Sequence, residues 1–226
     1  MMHKNYDDVE KGYDYLSKYW KNEANGAQMT EFKPFFKMIG NVKNKKVLDA
    51  GCGTGDYAIL LQQKGATVFG IDLSKGMINY AKKSAKEKKL NIFFQKADVC
   101  SLPFEDNYFD KIIIARVLGH VSNEDMKIAA KELMRVLKPK GEIIVSMIHP
   151  NLGNISNLIV NGKIFHMPRF NRTVKEYVKI FSEFKGKIVG SGSFKIVKSF
   201  GKISKEAYDK LKGKDFIEIF KVIKNN

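Results

Sequence analysis

Three carboxylates and a cluster of glycines fall in order along residues 47–98, each at the end of an apolar run. The run Val47-Leu48-Asp49-Ala50-Gly51-Cys52-Gly53-Thr54-Gly55 carries an apolar strand straight into a glycine-rich turn. Glycines there let a ligand lie against the backbone, where no Cβ intrudes, at a helix N-terminus. Asp72, in Gly70-Ile71-Asp72-Leu73-Ser74, ends the next apolar run. A carboxylate at that tip can accept from both hydroxyls of a ribose. Asp98, in Lys96-Ala97-Asp98-Val99, lies just past a third run, within reach of an adenine amino group. A dinucleotide is the rival ligand. Its G-x-G-x-x-G fingerprint would need a third glycine at position 56, which is Asp56. Asp49, directly before the glycines, would also repel a pyrophosphate, whereas it suits a cationic amino group.

Beyond this cluster, His149 is the first candidate proton acceptor and His120 the second, with His166 third. His149 follows an apolar run and precedes Pro150, which restricts it to an extended backbone and aims it over the edge of a sheet. Cys52 and Cys100 stand 48 residues apart with no ligand cluster around either, so both read as buried and inert, and no metal site is expected.

The elements that must position these residues alternate as βαβ units, which predicts a parallel sheet. Strands are expected at 46–50, 67–72, 91–95, 108–115 and 142–148. Helices are expected over 56–64, from the Ser74 cap, and from the Ser122 cap, the last stopped by Pro139 and Gly141. Amphipathic segments around Val9–Trp20 and Gln28–Ile39 predict two helices ahead of the sheet. Asn161-Gly162 between apolar runs signals a type I′ hairpin, and residues 173–184 a further helix. Residues 188–189, 194–197 and 216–223 are left to close the sheet, with Gly190-Ser191-Gly192-Ser193 as a turn.

The 226 residues and 44% hydrophobic content suit one α/β domain over 1–226 and exclude wholesale disorder. No apolar stretch spans a bilayer, and the first residues have no apolar core of a secretory signal, so a cytoplasmic protein is expected. The net charge of +16 comes from 40 basic residues of which only Arg116, Arg135, Arg169 and Arg172 are arginines. Nucleic-acid readers rely on arginine for bidentate contacts, so a lysine surplus of this kind is read as solvated surface. The surplus is concentrated in residues 151–226, with 16 basic and 6 acidic groups.

Taken in order, these features resemble the class I S-adenosylmethionine-dependent methyltransferases, in particular the small-molecule group with a "VLDxGCGTG" signature. The resemblance covers residues 47–148 well and the flanks by general layout. It implies a Rossmann-like, seven-stranded, mostly parallel sheet with helices on both faces and a reversed hairpin as its last two strands. It also implies an N-terminal segment, 1–40, folded over the cofactor, and a lid over 150–172. On the matching positions, Asp49 would orient the methionine ammonium and Gly51, Gly53 and Gly55 would border the methionyl part. Asp72 would hold the ribose, with Leu73 and Met77 flanking the adenosine. Asp98 would accept from the adenine amino group beside Val99, and Ala115 and Arg116 would line the pocket near the methionine tail. The lid residues Ile155, Leu158, Phe165, Met167, Arg169, Phe170 and Arg172 suit a partly apolar acceptor with an anionic group. The acceptor is expected to be a small molecule. An RNA gripped by the basic last third, and a non-catalytic cofactor-binding module, are the alternatives.

Overall fold

The structure, a computed structural model, describes residues 6–20, 26–152, 157–199 and 205–226. Its sheet follows from the apolar runs. Parallel strands β1 (Lys46–Ala50), β2 (Thr67–Asp72), β3 (Phe93–Lys96), β4 (Phe109–Ala115) and β5 (Leu137–Ile148) lie in the order 3-2-1-4-5. Two C-terminal strands, β8 (Gly186–Lys195) and β9 (Asp215–Lys224), complete a seven-stranded sheet, β9 pairing antiparallel with both β5 and β8. Successive side chains of residues 112–114 in β4 and 143–145 in β5 bury into opposite faces, which explains why these stretches are continuously apolar rather than alternating. Ile112, Ile114, Ile143 and Val145 pack on one side, against α5 (Asn123–Val136) and α6 (Val174–Ser182). Ile113 and Ile144 pack on the other, against α2 (Gly26–Ile39), α3 (Asp56–Gln63) and α4 (Lys75–Glu87).

The caps work as their residue types require. Ser74 Oγ accepts from the Met77 amide and Ser122 Oγ from the Asp125 amide, each satisfying a free N–H of the first turn. Thr173 and Glu176 form a reciprocal capping box on α6. Ahead of the sheet, α1 (Asp7–Tyr19) lies across the carboxyl ends of the strands. Its Asp14 carboxylate accepts from Ser74 Oγ (2.5 Å) and the Gly76 amide (2.8 Å), at the N-terminus of α4, where a helix dipole favours an anion. The hairpin β6 (Asn157–Val160) and β7 (Lys163–His166) turns through Asn161 (φ 48°) and Gly162 (φ 76°), both left-handed as a type I′ turn demands. It packs on α1, with the Tyr15 and Phe165 rings 5.2 Å apart. No helix among the described residues is long and apolar enough to cross a membrane.

Two segments differ from the sequence reading. Gly190–Ser193 is strand, not turn. Its backbone pairs with β9 from Lys221 to Glu218 after a register shift at Ile188/Gly190, so ladder bonds on an edge strand outweigh glycine's poor strand propensity. Likewise β5 begins at Leu137, opposite Phe109, and the register shift falls before Glu142 resumes pairing with Lys111. Pro139 and Gly141 sit in that irregular stretch, where Lys140 has φ 61°. The closing antiparallel pair is joined through α7 (Lys205–Leu211) rather than by a tight turn.

Candidate functional site

Strand order reverses between β1 and β4, and open α/β sheets bind ligands in the crevice beyond that point. A cavity of about 480 Å³ occupies it. The structure brings ten of the sequence-predicted residues to its wall: Gly51, Gly53, Asp72, Leu73, Met77, Asp98, Val99, Ala115, Arg116 and His120. The roof is one stripe of α1 and its flanks, Tyr6, Val9, Tyr13, Leu16 and Trp20, with Leu158 of the hairpin.

At the glycine turn, the amides of Gly51 and Cys52 both donate to the Ile71 carbonyl, which folds the chain back over β2. Gly51 sits at φ 77°, and a Cβ there would lie 2.1 Å from Val117 Cγ2. Gly53, at φ 52°, would project a Cβ into open space, where ligand atoms can approach the backbone instead. Gly55 is not on the wall. A Cβ on it would press on Ala81 and Phe94, so this glycine serves the packing of α3 against α4 and β3.

Asp72 is fixed by two backbone donors, Gly53 N–H to Oδ2 (2.8 Å) and Ser74 N–H to Oδ1 (2.9 Å). Each oxygen keeps a lone pair for a further donor. Burial pushes this carboxyl up to about 6 against those two bonds. Asp98 is aimed by the Cys100 amide, which donates to its Oδ1 (2.9 Å). Asp49 is 1% exposed and lies behind the turn, off the cavity wall. Among the described residues neither of its oxygens completes a hydrogen bond, and the Ala58 amide offsets its burial only in part. Burial, with Asp72 and Asp56 nearby, pushes Asp49 up to about 8. A buried carboxylate left in this state fits a cation placed beside the turn.

A second cavity of about 180 Å³ adjoins the first, and Tyr13, Arg116 and His120 line both. His120 is ordered by Nδ1, 3.0 Å from the Pro168 carbonyl, which makes Nδ1 the protonated nitrogen and Nε2 the acceptor. Burial holds this imidazole below its ordinary pKa, and Arg169 and Arg116 act in the same direction. The Tyr13 hydroxyl lies 3.4 Å from Nε2. Arg116 follows β4 with φ 61°, a conformation that is uncommon for a long side chain and occurs at functional sites. Its Nε donates to Glu31 Oε1 (3.0 Å). Glu31 is fully buried and also accepts from Tyr57 Oη (2.6 Å) and Ser146 Oγ (2.7 Å).

His149 is not brought to either cavity. Its amide donates to the Phe216 carbonyl, and its Nε2 lies 3.6 Å from Glu218 Oε2, which also takes the Ser193 hydroxyl at 2.6 Å. The C-terminal strands thus turn it away from the cofactor end. His166 is exposed on β7 and Arg172 is a structural clamp, donating to the Leu118 and Val121 carbonyls and to Asn123 Oδ1. Ile155 lies outside the described residues. Both cysteines are buried and burial pushes their thiols up; Cys52 lines the larger cavity.

Tyr13 and Glu31 were not among the sequence candidates. Tyr13 had a signal: Tyr6, Val9, Tyr13, Leu16 and Trp20 recur at three- and four-residue steps, one helical stripe. Glu31 had none, since its partner Arg116 is 85 residues away.

A seven-stranded sheet with its penultimate position filled by a reversed strand, and a nucleoside-sized cavity over a glycine turn and two strand-end carboxylates, together define the class I methyltransferase architecture. Residues 47–141 match the family described as a methyltransferase domain. A demethylmenaquinone methyltransferase of Staphylococcus aureus is 33% identical over 175 residues, 76% of this chain and 70% of that one. Among solved structures, an S-adenosylmethionine-dependent methyltransferase from Mesorhizobium loti superposes with a TM-score of 0.68 at 18% identity, covering 86% of this chain and 97% of that one. The magnesium protoporphyrin IX methyltransferase of Synechocystis with bound SAH gives 0.61 at 19%, covering 100% and 89%. This chain belongs to the methyltransferases, and the residues around its larger cavity fit S-adenosylmethionine as the cofactor.

If Asp72 grips the ribose, Asp72→Ala will weaken SAH binding by about 2–3 kcal/mol, as loss of hydrogen bonds to a charged acceptor does. Titration calorimetry reads this directly, and unchanged affinity would mean the ribose is held elsewhere.

Proposed function

We propose that this chain methylates a small-molecule acceptor held in the second cavity. The observation that carries the reading is the pair of adjoining cavities sharing Tyr13, Arg116 and His120 at their junction. A relative named for demethylmenaquinone supports a small molecule as acceptor. When bound, the cofactor supplies a methyl already activated on a sulfonium. The residues then have two tasks, orientation and proton removal. Asp72 and Asp98 hold the ribose and adenine ends, Leu73, Met77 and Val99 flank the base, and Gly51 and Gly53 let the methionyl part lie on the backbone. Asp49 faces its ammonium at one remove, through a field that burial leaves poorly screened. Fixing both partners in line can be worth effective molarities of about 10⁵–10⁸ M. For an acceptor carrying a proton, Nε2 of His120 takes it as the acceptor atom bonds to the methyl. Bound in the larger cavity, S-adenosylmethionine would supply the methyl and would keep the S–C electron pair, so that no group of the protein has to accept a leaving group.

Asp49 supplies the test. A carboxyl raised in the folded state stabilises it fully only below the ordinary range near 4, and that contribution is lost as pH rises through about 8. The unliganded protein should therefore lose stability over that window, and Asp49→Asn should flatten the loss. At pH 7 a cationic ammonium brought beside Asp49 displaces its proton, so SAH binding should release up to about one proton. Calorimetry in buffers of different ionisation heat measures that number. Absence of SAH binding would defeat the cofactor assignment, and a tight RNA complex surviving physiological salt would defeat the small-molecule acceptor.

A further inference from the structure

The chain holds 36 lysines and four arginines, yet three of the four arginines line the 180 Å³ cavity, and no lysine does. No aspartate or glutamate lines it either. Arg116 is answered by Glu31. Arg172 spends its donors on neutral oxygens. Arg169 is different: among the described residues it makes no hydrogen bond or ion pair, and burial disfavours its charge. Arg169 is only part-buried, so water meets some of its donors, but it keeps its charge at working pH, and an anion entering this cavity would replace that water with a counter-charge. Its planar fork matches a carboxylate in bidentate geometry.

The wall that presents Arg169 is built rather than loose. Phe170 N–H donates to the Gly119 carbonyl (2.7 Å), and His120 Nδ1 meets the Pro168 carbonyl two residues earlier. Met147, Ile148 and Phe170 add apolar surface. Size bounds the occupant: a cavity of about 150 Å³ accommodates benzene, so this one suits a single ring or a short chain with one substituent.

Resting on the methyl-transfer reading, we propose that the acceptor is a small organic anion whose charged group sits on Arg169 while a second heteroatom faces His120. The probes are benzoate and its uncharged counterpart benzyl alcohol, titrated into the SAH-loaded protein. Benzoate is expected to bind at least tenfold more tightly, Arg169→Gln to erase that preference, and Arg169→Lys to keep part of it. SAH affinity should be the same in all three proteins, which controls for folding. Equal affinities of the two probes in the wild-type protein, or a preference that survives Arg169→Gln, would overturn the assignment while leaving methyl transfer standing. A wild-type protein that takes up no SAH would instead overturn both.

Discussion

His120→Ala should lower kcat by about 10²–10⁴ once an acceptor with a dissociable proton is in hand, with SAH affinity little changed. The size follows from what the site supplies. The carbonyl of Pro168 fixes the tautomer, so Nε2 is already an acceptor when the substrate arrives. Burial and the two arginines hold the ring neutral below the ordinary imidazole range. The sign of the pH dependence is therefore set. A base must be unprotonated, so the rate falls only on the acid side, and the fall begins below pH 6.5 rather than at it. His120→Gln keeps a polar group of similar reach and should lose the titration along with the rate. His149→Ala is the matched comparison: that imidazole is engaged with Glu218 in the C-terminal ladder, so its loss should leave kcat and the acid limb in place. Were His149→Ala to abolish the acid limb while His120→Ala did not, the two histidines would have to exchange roles.

What could be read from the chain alone divides by distance along it. The glycine turn, Asp72 and Asp98 were legible because each sits at the end of a strand whose apolar run is local, and turn chemistry is set by its own residues. Ser74, Ser122 and Asn161-Gly162 were legible for the same reason. Gly190–Ser193 was not, because its strand conformation comes from β9, about thirty residues later. His149 was placed correctly at the end of β5 by the sequence, but the direction of its ring depends on Glu218 and Ser193 from two other strands. The same holds for the junction of the two cavities. His120 was nameable from its position after β4, whereas Tyr13 and Pro168, which approach its two ring nitrogens, lie 107 residues before it and 48 residues after it.

Glu31 carries the largest expected effect on stability. Its side chain is fully buried, and its two oxygens take three donors, from Tyr57, Arg116 and Ser146. These donors come from α3, the end of β4 and β5, so one carboxylate ties α2 to three elements of the fold. Removing it strands a largely buried guanidinium without this counter-charge and two hydroxyls without their acceptor. Loss of one partner from a buried ion pair is worth about 3–5 kcal/mol. For a chain of this length that is a fall in Tm on the order of 10 °C for Glu31→Ala. Glu31→Gln can still accept from Tyr57 and Ser146 but leaves Arg116 without its charge, so it should fall between Glu31→Ala and the wild type. The decisive comparison is Arg116→Met in the Glu31→Ala background. Because the harm comes from an uncompensated charge rather than from a missing contact, the double variant should be more stable than Glu31→Ala alone, a coupling that a double-mutant cycle measures. Additive losses would mean that the pair is incidental to the fold. In that event the left-handed backbone at Arg116, and not the carboxylate facing it, must be what holds this guanidinium between the two cavities.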